Sequence, residues 1–229
     1  MELRTEGIRK DFIRKGNGTN VYTAVQPADL LLRAGTITGI RGRSGSGKST
    51  LLNMLAGILC PTQGKVFYDD ADLYAMEDRV LSGYRNSHIG YIPQGSSAIS
   101  SLTIRENVLL PGMLKKSTVA EAELEKEAER LMQQLGILHL AGEKPQHLSG
   151  GELKRMSVAR AMLLKPEVLL ADEPTGDLDD ENTEVFFRLM REYAGDGHIV
   201  LIVTHEENIR THADQLYRMD AGRLTEEQQ

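Results

Sequence analysis

Residues 42–50 read Gly42-Arg43-Ser44-Gly45-Ser46-Gly47-Lys48-Ser49-Thr50, and this stretch decides the fold. Gly42, Gly45 and Gly47 let the backbone take φ/ψ values closed to other residues and let its N–H groups approach a phosphate closely. Upstream, residues 36–41 read as a strand. Downstream, residues 48–59 read as a helix that ends before Pro61, which cannot continue one. A strand, a glycine-rich turn and a helix in that order place phosphates at a helix N-terminus, where unpaired N–H groups and the helix dipole favour negative charge. Lys48 is spaced to reach the β- and γ-phosphates, and the Ser49 hydroxyl to ligate Mg²⁺. Gly42, Ser44, Gly45, Ser46, Gly47, Lys48, Ser49 and Thr50 are therefore the candidate phosphate-binding set. By itself the loop does not separate kinases, GTPases and motor ATPases.

The partners of such a loop lie further along. Val168-Leu169-Leu170-Ala171 is an apolar run of the kind buried in a parallel sheet, and Asp172 closes it. A carboxylate at that edge suits outer-sphere Mg²⁺ coordination. Glu173 follows at once and is the candidate general base for the water that attacks the γ-phosphate. Gln94 ends an apolar segment, 89–93, with an amide able to touch Mg²⁺ or that water. His205 follows the apolar run 199–203, at the strand end where ligands gather in open α/β sheets, and can sense the γ-phosphate. His88, His139, His147, His198 and His212 read as structural or solvated.

Around these motifs the chain is an ordinary globular one. It has 229 residues, 40% hydrophobic and 26% charged, enough for one large α/β domain with a substantial core. Residues 2–10 and 65–68 read as strands, with a polar loop at 16–20. From 95 to 165 the character becomes mainly helical. Apolar residues at Val119, Ala122, Leu124, Ala128, Leu131, Met132 and Leu135 mark one helix face; Thr118 with Glu121 makes a capping box, and Gly136 a stop. Residues 184–193 read as a helix, and 215–220 with 223–224 as a closing ribbon. The net charge of −6 argues against a nucleic-acid partner. The single cysteine, Cys60, is expected to be a buried, inert thiol. No run approaches the roughly 20 apolar residues of a membrane span, so any membrane attachment falls to a partner.

A second glycine-rich loop, Leu148-Ser149-Gly150-Gly151-Glu152, narrows the reading. With the first loop, Gln94, the segment 168–173, Gly176-Asp177-Leu178-Asp179 and His205, it forms an ordered set that resembles the ATP-binding cassette (ABC) nucleotide-binding domains over essentially the whole chain. The resemblance implies an α/β fold: a P-loop NTPase core with a mostly parallel sheet, an N-terminal antiparallel β part and a helical subdomain. It divides the chain into a core of 1–94 and 166–229 and a helical subdomain of 95–165. It implies ATP and Mg²⁺, the metal held by Ser49, Gln94 and Asp172. It further implies a head-to-tail pair of copies, each ATP lying between one Walker A loop and the other copy's Ser149, Gly150 and Gly151, with Asp177 communicating between sites. An upstream aromatic is implied to stack on adenine; Phe12 best fits that position, and Tyr22 is the second choice. Glu152 stands where Gln is commoner.

Among such domains the chain looks most like compact ATPases of the macrolide-export, lipoprotein-release, antimicrobial-peptide-export and cell-division group. The cues are Leu51-Leu52-Asn53 after the first loop, 102–108 with Pro111, and 171–179. It departs from them at 95–101, where Gly-Ser-Ser-Ala-Ile-Ser-Ser replaces a more apolar, aromatic run. The expected function is ATP hydrolysis driving a separate integral membrane permease from the cytoplasmic face of the membrane. The alternative is a soluble ABC ATPase in a non-transport assembly.

Overall fold

The computed structural model describes residues 1–16, 18–114 and 120–227, with the backbone alone at 14–16 and 18–20. Eleven strands and seven α-helices are found among them. A parallel sheet forms the centre. β4 (Ile37–Arg41), β9 (Ile199–Thr204) and β8 (Val168–Asp172) are its middle strands, β7 (Ile89–Ile92) is one edge, and β10 (Gln215–Asp220) with β11 (Arg223–Glu227) closes the other. Only the β10–β11 pairing is antiparallel. A second, antiparallel sheet is built by β1 (Glu2–Gly16), β2 (Gly18–Ala28), β3 (Leu31–Arg33), β5 (Gln63–Tyr68) and β6 (Ala71–Asp72).

The central strands are buried on both faces, so their sequences are continuously apolar rather than alternating. Alternate residues serve different cores. Val168, Leu170, Ile199, Leu201 and Val203 face a cluster shared with Leu3, Ile8, Val25 and Val66 of the antiparallel sheet. α1 (Lys48–Leu55) lies in that layer and contributes Leu51, Leu52, Met54 and Leu55. Leu169, Ala171, Val200 and Ile202 face the other way, onto Phe186 and Met190 of α6 (Asp180–Gly195). Between β7 and β8 the chain forms α3 (Ile104–Leu114), α4 (Glu121–Gln134) and α5 (Gly150–Met162), whose Val108, Leu131, Met132 and Met156 join the same cluster. α2 (Asp78–His88) precedes β7, and the short α7 (Ile209–His212) follows β9.

Four expectations are corrected. α1 stops at Leu55, not Leu59, because Gly57 takes φ +68°, a left-handed value that ends the helix. Cys60 is consequently in the loop after the helix, and it is exposed; its carbonyl accepts a hydrogen bond from Lys10 at 2.6 Å. The first strand does not end at Lys10 in a polar loop. It runs to Gly16 and returns as β2, pairing Phe12 with Tyr22 and Ile13 with Val21. α6 begins at Asp180 because Asp179 caps it, its carboxylate accepting from the Asn182 N–H at 2.8 Å. α4 ends at Gln134, just before Gly136 at φ +67°, the stop expected, while Thr118 of its expected cap lies outside the described residues.

Phe186 is 1% exposed and packs edge-on to Phe187. Replacing Phe186 with Ala is expected to lower the unfolding free energy by about 3–5 kcal/mol. The readout is a lower urea midpoint with an unchanged m-value.

Candidate active site

Strand β4 ends at Arg41, and the Gly42 N–H donates to the Thr204 carbonyl at the end of β9. From there the chain turns sharply into α1. Gly47 caps that helix with φ +109°, and a Cβ on it would lie 2.3 Å from the Ala24 carbonyl oxygen. A Cβ on Gly42 would lie 2.2 Å from the Met219 carbonyl. These two positions therefore require glycine on steric grounds alone. The loop is open where a ligand would sit: Ser44 and Gly45 are exposed, and Ser46 and Lys48 are buried beneath them.

Lys48 donates to the carbonyls of Gly42 at 2.7 Å and Arg43 at 3.2 Å and lies 3.5 Å from a Glu173 carboxylate oxygen. Its charge is thus held inside the loop at the start of α1. The Ser46 hydroxyl and Oδ1 of Asp172 are buried with no hydrogen-bond partner. Burial raises the Asp172 pKa, opposed by a hydrogen bond from Ser49; the Glu173 charge raises it further. A buried, under-partnered carboxylate beside a serine hydroxyl, under a glycine-lined helix N-terminus, fits a bound nucleotide phosphate with its divalent cation.

Glu173 leaves β8 with φ +46°, a conformation rare outside glycine. Its N–H donates to the Val203 carbonyl at 2.9 Å. Its carboxylate accepts from the Thr204 hydroxyl at 2.9 Å and the His205 N–H at 3.2 Å, and His205 Nδ1 stands 2.9 Å from the same oxygen. The His205 ring itself is 62% exposed. Gln94 is exposed at the end of β7 and lines the same cleft as Gly42, Ser44, Glu173 and His205. An adjoining cleft runs over Lys48, Ser49 and Thr50 to Phe12 and Tyr22, which stand opposite one another across β1 and β2.

Ser149, Gly150, Gly151 and Asp177 line neither cleft. They form a separate exposed feature at the start of α5. Ser149 and Glu152 make a reciprocal capping box, with the Ser149 N–H donating to Glu152 at 2.7 Å. That bond pulls the Glu152 carboxyl below its usual pKa. Glu152 is thus the structural partner of the cap. A Cβ on Gly151 would lie 2.9 Å from the Asp177 carbonyl, so the two loops abut.

Two residues at the site were not singled out from the sequence. Thr204 looks like one more β-branched strand residue, and Lys154 like a helix-surface lysine; neither pattern signals its partner. Lys154 is in fact buried behind Gln94 and Glu173. The loop 95–101, where the sequence departs from its group, is held by Arg160 donating to the Ser97 carbonyl and by buried Asn107 bonded to Ile99 at both ends.

A family model for ABC transporters matches residues 25–176. The chain belongs to the ABC transporter family. The cassette is an ATP-binding, ATP-hydrolysing subunit with the α/β fold expected. It is 37% identical over 219 residues to the lipoprotein-releasing system ATP-binding protein LolD of Idiomarina loihiensis, covering 95% of this chain and 92% of that one. It is also 37% identical over 207 residues to the macrolide export ATP-binding/permease protein MacB of Burkholderia thailandensis, covering 90% of this chain but 31% of that protein. Among solved structures it resembles the ATP-binding cassette MJ0796 in a dimeric, post-hydrolysis state bound to ADP and Pi, with TM-score 0.91, 29% identity and 99% of both chains covered.

Gly47→Ala tests the loop directly. Forcing a side chain onto φ +109° against a carbonyl is expected to weaken ATP binding by about tenfold or more, from the 1–3 kcal/mol of a strained backbone position. Equilibrium titration with a fluorescent ATP analogue checks it, with circular dichroism to confirm the fold.

Proposed function

We propose that this cassette is the motor of a membrane complex, in which two copies close head to tail on ATP and drive a separate integral membrane permease. The observation that supports this most strongly is the split of the phosphate-binding groups. One chain gathers the Gly42–Thr50 loop, Gln94, Glu173 and His205 around two adjoining clefts, with Asp172 buried next to Glu173, while Ser149–Gly151 form a second helix N-terminus outside both. The Gly150 and Gly151 N–H groups, at the first positions of α5, have no intrahelical acceptor. A second copy brings such a terminus onto the γ-phosphate of the first.

In this reading Lys48 and the loop N–H groups hold the phosphates, and Phe12, or Tyr22 beside it, stacks on adenine. Glu173 takes a proton from the attacking water; Thr204 and His205 orient its carboxylate, and the exposed His205 ring reports the γ-phosphate. Ser49, Gln94 and, through water, Asp172 would hold Mg²⁺, which neutralises charge on the phosphates. Asp177, abutting Gly151, links the helix terminus to the neighbouring site. Residues 95–165 act as a helical subdomain on a core of 1–94 and 166–229. Loss of the γ-phosphate removes the contacts that join the copies.

No helix among the described residues is long and apolar enough to cross a membrane. The names of the LolD relatives suit a permease on a separate chain, and in this reading the cassette works at the cytoplasmic face of the membrane. A lipoprotein-release type of system is the cargo class that these relatives favour.

Glu173→Gln is expected to lower turnover by roughly 10²–10⁴-fold, the range of general-base catalysis, while accumulating an ATP-bound dimer. Size exclusion with light scattering reads the dimer; a monomer at saturating ATP contradicts the sandwich. Ser149→Arg is expected to abolish turnover with ATP affinity of the monomer unchanged, and loss of that affinity contradicts the assignment in trans. Copurification of the Glu173→Gln chain from detergent-solubilised cells with ATP tests the permease: recovery of soluble partners alone contradicts it.

A further inference from the structure

Lys154, in the second turn of α5, is 1% exposed. Its ammonium donates to three carbonyls: Pro93 at 2.9 Å, Gln94 at 2.5 Å and Glu173 at 3.3 Å. Two of these lie just beyond the end of β7, the third just beyond the end of β8. An ammonium has three N–H donors, so every proton is matched to one acceptor. Burial lowers the Lys154 pKa, while the carboxylates of Asp177, Asp172 and Glu173 favour its charge. A buried cation is costly unless paired in this way, so its place in the fold is not incidental packing.

The third acceptor is the telling one. Glu173 sits at φ +46°, and such a conformation persists only where the surroundings over-determine it. Its N–H is held by Val203, and its C=O by Lys154. With both of its backbone groups tied, its carboxylate reaches Thr204 and His205. The same ammonium fixes the backbone of Gln94, and it is carried by the helix that begins at Ser149–Gly151.

We propose that Lys154 is a positioning residue for hydrolysis, locking the Glu173 and Gln94 backbones to the helix that bears Ser149, Gly150 and Gly151. Glu173 is then aligned only while that helix is docked. This rests on the assignment of Glu173 as the general base.

The test is a double-mutant cycle on the full chain with ATP, using multiple- and single-turnover rates. Lys154→Met is expected to lower kcat by about 100-fold, the scale of a misplacement near one ångström, with KM for ATP changed less than about threefold. In the Glu173→Gln background it is expected to add less than about twofold, because the two changes remove one function. Unchanged kcat in Lys154→Met, or losses that multiply in the double variant, overturn the proposal. Wild-type turnover in Glu173→Gln alone shows instead that the base is misassigned, and the proposal falls with it. If Lys154→Met does not fold, Lys154→Gln decides: its amide supplies two donors for three carbonyls. It is expected to show a smaller kcat loss with the same failure to add, and multiplying losses again overturn the proposal.

Discussion

Parallel pairing of β4, β9 and β8 is the constraint on which the rest depends. Arg41 stands opposite Thr204, and Asp172 opposite Val203. The three strands therefore end at one level, and their C-terminal extensions meet there: the glycine loop after β4, His205 after β9, Glu173 after β8. Two backbone bonds carry the alignment past the sheet, from Gly42 to Thr204 and from Glu173 to Val203. The chemistry of the cleft is assembled by residues that lie far apart in sequence and one hydrogen bond apart in space.

Electrostatics then work within that frame. Lys48 and Lys154 approach Glu173 from opposite parts of the fold, one at its carboxylate and one at its carbonyl. Asp172, beside them, is held above its usual pKa chiefly by burial. The two buried ammonium groups are compensated by carbonyls and by the Glu173 carboxylate, while Asp172 keeps one oxygen without a hydrogen-bond partner. At the outer rim Arg41 forms a two-pronged pair with Glu227 of β11 at 2.7 and 2.8 Å, tying the last strand to the base of the phosphate loop.

Much of this was legible in the sequence, and the reasons are local. The glycine loop, the apolar run ending in Asp172-Glu173 and the run before His205 each hold their candidate site residues within a few positions. The hairpin of β1 and β2 was not legible, because its far end is a ribbon with Ile13 and Val21 exposed, so no alternation marks it as strand. Cys60 was misplaced because one glycine, three residues earlier, ended the helix that was expected to bury it. Lys154 and Thr204 escaped because their partners are backbone carbonyls and a carboxylate brought near by the sheet, and no spacing in the chain encodes that meeting. The start of α5 was readable as a motif, and the resemblance already implied that it acts apart from the chain's own cleft; the fold adds its reciprocal cap between Ser149 and Glu152.

The two-sided burial of β8 and β9 has a consequence for how this chain can vary. In a half-solvated strand, a one-residue slip is punished because polar side chains turn inward. Here both faces are apolar, so the hydrophobic pattern alone does not object to a slip; the objection comes from the ends, where Glu173 and His205 would rotate out of the cleft. The length of each of these strands is therefore fixed by chemistry and not by solubility. Side chains along them can be exchanged for others of similar volume, while an inserted or deleted residue would leave a folded protein with Glu173 or His205 turned away from the cleft.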